Sequence, residues 1–185
     1  MTSPFNKMQT VKRRFFAMRN GLLADQMRRT GSSFRIIFGL NIIQLKEIAQ
    51  EYGHDTSLAE ELWSNRTTRE SMLLAPMLWR QDDFSYAQAL ELCGEIPDTE
   101  VADMVCHALL KKRDDAVAIV DALYADESPL MRYAALRLML PLIGSKVDAP
   151  KAVAMAENEL AKASPLTKSL ATMVKSEAEY MMEED

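Results

Sequence analysis

DAVAIVDALYADESPLMRYAALRL (115–138) and KAVAMAENELAKASPLTKSLATMV (151–174) are two versions of one pattern, offset by 36 residues. They share Ala-Val-Ala (116–118 and 152–154), Ala125 with Ala161, Ser-Pro-Leu (128–130 and 164–166) and Ala135 with Ala171, eight identities in 24 positions. Each reads as helix, short turn, helix. Alanine and leucine propagate helices, and a Ser-Pro step offers a capping hydroxyl followed by proline at the first helical position, where its missing N–H costs nothing. One such hairpin cannot bury its apolar face alone. A period near 36 therefore predicts hairpins stacked side by side around a continuous core.

The second helix of the first copy, 128–143, has almost no polar face: Leu130, Met131, Tyr133, Ala134, Ala135, Leu136, Leu138, Met139 and Leu140 surround it. It is expected inside the stack. Its charges are Arg132 and Arg137. An arginine in such surroundings must snorkel to the surface, meet a carboxylate or look into a groove.

Outward from this hairpin, the chain continues as modest helices with short caps. Asn41 precedes Ile42, Leu45, Ile48 and Ala49 and the run ends at Gly53. Ser57 with Glu60, and Thr67 with Glu70, have capping-box spacing. Pro76 lies within the second of these helices and should kink it. Further helices are expected from about 84 to 92, from Pro97-Asp98 to about 112, and after Asp114, Ser128, Asp148 and Ser164. No stretch shows sustained strand alternation; only residues 34–39 read as a short extended piece. The expected class is all-α.

A length of 185 residues suits a single domain over 1–185, with basic helices over about 1–35 and a short acidic tail at about 183–185. Lys7, Lys12, Arg13 and Arg14 alternate with Phe5, Met8, Val11, Phe15 and Phe16, which predicts a first structural helix. Residues 1–35 hold eight basic residues and one acidic residue, Asp25, while the rest of the chain is acidic and the net charge is −5. Such asymmetry marks either an anion-binding end or a solvated basic face. No segment approaches the ~20 apolar residues of a membrane span. Cys93 and Cys106 give no disulfide framework, and with His54 and His107 they form no metal-ligand spacing. A reducing, cytoplasmic protein with buried free thiols is expected, without metal or cofactor. The 13 methionines read as core filler.

Several segments together resemble the AlkD-type DNA alkylation-repair glycosylases. Gly39 followed by NIIQLKEIAQEYG resembles the glycine-led helix that begins that family's repeats. LAEELWSNRTTRESMLLAPML (58–78) is similar to its Leu-Trp helix, turn and Glu-containing helix. EVADMVCHAL (100–109) stands where the family carries a Trp-Asp-x-Val-Asp motif, and SPLMRYAALRLML (128–140) looks like its helix with an arginine before the alanines. The resemblance spans about residues 20–145. It implies a HEAT-like α-α superhelix, a curved solenoid of antiparallel helix pairs that cradles duplex DNA in a concave basic groove. Family enzymes release cationic N3- or N7-alkylpurines. An aromatic residue and a carboxylate approach the sugar, and an arginine assists.

Carried over by position, the motif's tryptophan falls on Ala102, its catalytic aspartate on Cys106 and its arginine on Arg132; its first aspartate falls on Asp103, and Val105 is kept. A neutral thiol cannot stabilise the cationic sugar that forms as the glycosidic bond breaks. The resemblance therefore implies a non-catalytic binding module for nucleic acid or for a protein partner. The alternative is an active glycosylase with its carboxylate relocated to Asp103, which shares a helix face with His107. The candidate nucleic-acid contacts are Arg28, Arg29, Arg35, Lys111, Lys112, Arg113 and Arg132.

Overall fold

The computed structural model describes residues 6–184; Phe5 of the expected first helix and Asp185 of the acidic tail lie outside them. Among the described residues there are eleven α-helices, short 3-10 turns and no strand. None of the helices is long and apolar enough to cross a membrane. Contacts divide the chain into two compact units, Met1–Asp83 and Phe84–Asp185.

The first unit holds α1 (Lys7–Ala17), α2 (Gly21–Arg29), α3 (Ile42–Tyr52), α4 (Thr56–Ser64) and α5 (Arg69–Leu78). α5 packs against both α3 and α4, and α1 lies on α4. Val11 and Phe15 of α1, Leu45 and Ile48 of α3, Leu62 of α4 and Leu73 of α5 are fully buried. Asn41 caps α3 as expected and makes a reciprocal box with Gln44. The cap of α4 is Asp55 rather than Ser57, its carboxylate accepting from the Leu58 N–H at 3.1 Å. Pro76 falls in the last turn of α5, which ends at Leu78 as the backbone becomes extended at Trp79.

Glu70 does not close a capping box with Thr67. Its fully buried carboxylate turns instead to the segment between α2 and α3 and accepts from the backbone N–H groups of Phe38 (3.0 Å), Gly39 (2.9 Å) and Leu40 (3.3 Å). Arg69 braces the same place, donating to the Leu40 carbonyl at 3.0 Å and to Glu70 at 2.9 Å. Three otherwise unpaired backbone donors and a guanidinium outcompete one local cap for a buried carboxylate. Only Ile36 of the expected extended piece pairs as a strand would, in a single bridge with Thr68. Gly39 has φ +79°, and a Cβ there would lie 2.2 Å from the Asn20 carbonyl oxygen.

The second unit holds α6 (Tyr86–Gly94), α7 (Thr99–Ala108), α8 (Ala116–Tyr124), α9 (Pro129–Met139), α10 (Ala149–Ala161) and α11 (Lys168–Glu184). α8 packs on α9 and α10 on α11, so both copies of the sequence pattern fold as helical pairs. Second helices also lie side by side, α7 on α9 and α9 on α11, while α6 lies on α8. This layering puts α9 in the middle and accounts for its nearly unbroken apolar surface.

The boundaries differ from expectation where side chains find better partners. Ser85 and Gln88 form the reciprocal cap that starts α6. The helix opened by Asp98 stops at Ala108, and Leu110–Lys112 continues as a 3-10 turn. α8 begins after Asp115. The first Ser-Pro-Leu opens α9, but the second forms a turn and α11 starts only at Lys168. The Thr167 hydroxyl, next to that start, donates to Glu159 at 2.8 Å.

Candidate functional site

α7 presents two different faces. Ala102 and Cys106, one turn apart, are buried at 0% and 2% exposure. The Cys106 thiol donates to the Ala134 carbonyl of α9 at 3.4 Å. Burial pushes this thiol well above its ordinary pKa, so it is neutral. Cys93 is likewise pushed up to about 12 by burial.

On the more open face of α7, Asp103 accepts from the Tyr133 hydroxyl at 2.9 Å and pairs with the Arg137 guanidinium at 3.1 Å. Tyr133 and Arg137 stand one turn apart on α9, which is why both reach one carboxylate. Burial, followed by the bond to Asp103, raises the Tyr133 phenol well above its usual range and keeps it a donor. One turn beyond Asp103, the exposed His107 ring meets the Lys111 ammonium at 3.1 Å. Cys106, His107 and Arg137 then border a cleft of about 640 Å³, closed on the other side by Met173 and Glu177 of α11. The cleft is open and mixed in character. The carboxylate beside it is already matched by a guanidinium and a phenol.

Arg132 points into the packing. It is 9% exposed; its Nε lies 3.1 and 3.0 Å from the two Glu159 oxygens, and its Nη1 donates to the carbonyls of Asp126 (3.2 Å) and Glu127 (2.5 Å). Glu159 also pairs with Lys162 at 3.1 Å. Its burial opposes ionisation, but bonds from Thr167, Lys162 and Arg132 together outweigh this and hold its carboxyl below the ordinary value.

The other expected cations divide in the same way. Arg113 is buried, with Nε and Nη2 both 2.7 Å from Asp115 and Nη1 donating to the Phe84 carbonyl at 2.8 Å. That bidentate bond lowers the Asp115 pKa. Lys112 is exposed and Lys111 partly so. In the first unit Arg28 is exposed, with Asp25 at 2.9 Å and the Ile37 carbonyl at 3.4 Å. Arg29 and Arg35 are exposed, and neither has an ion-pair partner among the described residues. The structure thus joins Asp103 to Tyr133 and Arg137, a trio that sequence spacing did not reveal; the one hint was Arg137, one of two charges on a nearly apolar helix.

The sequence matches the family described as DNA alkylation repair enzyme over residues 11–173. The chain belongs to this family. A solved structure from a new family of proteins related to the HEAT-like repeat DNA glycosylases, with affinity for branched DNA structures, superposes with a TM-score of 0.79. It is 18% identical and the match covers 90% of this chain and 73% of that one. The fold of this DNA alkylation repair family member is therefore HEAT-like. A search of curated proteins found no match.

Proposed function

We propose that this member of the DNA alkylation repair family is a DNA-binding module that does not excise bases, and that its preferred ligand is branched DNA. The observation that carries the reading is Cys106: where the family resemblance implies a catalytic carboxylate, a buried neutral thiol is bonded to a backbone carbonyl. A neutral group there offers nothing to a developing sugar cation. The implied aromatic is Ala102, and Arg132 is taken up by Glu159. The affinity for branched DNA belongs to the solved neighbour and is carried to this chain as part of the proposal.

Charge supports assigning the backbone contacts to the first unit. Met1–Asp83 holds twelve basic and nine acidic residues, whereas Phe84–Asp185 holds ten and eighteen. Arg29 and Arg35, with Arg28, are the proposed phosphate contacts; Arg113 and Arg132 are held by carboxylates and are not.

The test pairs binding with chemistry. Fluorescence anisotropy at 50 mM salt should show tighter binding to a four-way junction than to a linear duplex of the same length, with both weakening steeply as salt rises. Release of methylpurines from alkylated duplex should stay at the buffer rate at high protein concentration. Absence of DNA binding at low salt would overturn the binding reading and leave a protein partner as the one to pursue. Measurable release that disappears in Asp103→Asn would establish the alternative, a glycosylase acting through Asp103.

A further inference from the structure

One corner of the first unit takes no part in the proposed phosphate contacts. Three chain segments meet there. The Asn20 N–H donates to the Phe38 carbonyl at 2.8 Å, the Gln44 amide donates to the Met18 carbonyl at 3.4 Å, and Gly39 lies against the Asn20 carbonyl. These ties bring the end of α1, the start of α2 and the start of α3 together. Each contributes large apolar side chains to solvent: Phe16 at 58% exposure, Leu22 at 87%, Ile43 at 69% and Ile42 beside it. Leu22 and Ile43 are far more exposed than any core-facing residue of the same helices, so neither is a marginal member of the core.

The patch is not merely apolar. The Arg19 guanidinium carbon lies 3.8 Å from the Phe16 ring centroid, and Arg19 Nη1 donates to the Phe16 carbonyl at 2.9 Å, which fixes the stack. Lys46 is exposed one turn along α3 from Ile42 and Ile43. Neither α2 nor α3 has an acidic residue in its first turn; Asp25 and Glu47 are exposed further along, Asp25 paired with Arg28. A planar cation held on an aromatic ring, exposed apolar side chains on the adjoining helix starts and an exposed ammonium on α3 form a surface that suits a ligand with flat apolar faces and a negative backbone. A base-paired duplex shows its phosphates but hides its base faces. Bases at a branch point expose both.

We infer that this corner, built on the Phe16–Arg19 stack with Leu22, Ile42 and Ile43, receives unstacked bases at the branch of a DNA junction. The inference rests on the branched-DNA reading above and names the surface that would produce the preference. Phosphate contacts from elsewhere in the unit hold any DNA; this corner distinguishes a branch from a continuous duplex by stacking.

The experiment uses the full chain, a four-way junction carrying 2-aminopurine at a branch-point position and a linear duplex of matched length. The variants are Phe16→Ala, Arg19→Gln and the pair Leu22→Ser with Ile43→Ser, all at exposed positions. The wild type should change the 2-aminopurine fluorescence on binding. The variants should bind the junction roughly fivefold or more weakly, keep duplex affinity within about twofold, and lose the fluorescence change. Variants that bind the junction and perturb the fluorescence as the wild type does would overturn the inference while the branched-DNA reading stands. A wild type that binds neither DNA would remove that reading and the inference with it. Binding to phosphatidylserine vesicles that the same variants abolish, with their junction binding unchanged, would reassign the corner to a membrane surface and overturn the inference.

Discussion

Arg132 and Glu159, 27 residues apart in the chain, form a 3.0 Å ion pair in which the carboxylate is closed off from solvent. Two backbone carbonyls, Thr167 and Lys162 complete the bonding of both groups. Removing one partner leaves a buried charge uncompensated. Glu159→Ala is expected to lower unfolding stability by about 3–5 kcal/mol. Arg132→Met combined with Glu159→Leu should be less harmful than Glu159→Ala alone, because it removes both charges and keeps volume. Urea denaturation of the wild type and the two variants checks this, and a loss under about 1 kcal/mol for Glu159→Ala would show that the pair is not a buried structural unit.

The same cluster sets a pH dependence. The folded-state pKa of Glu159 lies below its ordinary value of 4.5. A lowered acid pKa means that the unfolded state binds the proton more tightly. Its stabilising contribution is complete above about pH 4.5 and is lost as pH falls through the lowered native value. The stability gap between wild type and Glu159→Gln should therefore be constant from pH 7 to about pH 5.5 and shrink below about pH 4. A gap that widens with acid would contradict the sign.

Gly39 is where backbone geometry leaves no alternative residue. Alanine there meets φ +79° and a carbonyl oxygen 2.2 Å from its Cβ, and Asn20 cannot withdraw without breaking its bond to Phe38. Gly39→Ala should cost more than about 2 kcal/mol. Gly31, also at positive φ but with open space around it, should lose less on the same change. Thermal melts of the two variants measure the difference; equal losses would mean that strain alone, and not the contact with Asn20, decides.

What could be read in advance follows from how local each determinant is. The 36-residue pattern depends on side chains within one hairpin, and α8–α9 and α10–α11 pack as it predicts. Asn41 acts within one turn of its helix, and its position was legible. Ser128 does mark the start of α9, but its hydroxyl makes no cap hydrogen bond, so the expected capping role is not what opens that helix. Glu70 and Ser164 were misread because their partners are remote or their neighbours compete. Glu70 serves backbone groups about 30 residues earlier, and the second Ser-Pro-Leu is followed by a threonine that bonds Glu159. The candidate site divides in the same way. Asp103 stood out by its place in the motif, but Tyr133 and Arg137 reach it across the packing of α7 on α9, which no spacing along the chain encodes.

Cys93 and Cys106 are both buried, and desolvation holds both thiols protonated at neutral pH. A disulfide reagent attacks the thiolate and needs access. In the native protein at pH 8, neither cysteine should react on a timescale of minutes, and both should react at once in denaturant. Labelling that outpaces global unfolding at either cysteine, measured under the same conditions, would show that α6 or α7 opens locally.

The charge assignment yields the sharpest test of the DNA reading. Each arginine that neutralises a phosphate adds about one to the slope of log affinity against log salt. Arg29 and Arg35 are exposed, and neither has an ion-pair partner among the described residues, so Arg29→Glu with Arg35→Glu should perturb the fold little. The pair should weaken junction and duplex alike and lower the salt slope by about two. Lys168→Glu changes an exposed cation of the acidic unit and should leave both quantities unaltered. If Lys168→Glu weakened DNA as strongly as the arginine pair, the contacts would not belong to the first unit. An unchanged slope in the arginine pair would mean that those two residues touch no phosphate, whatever the affinity does.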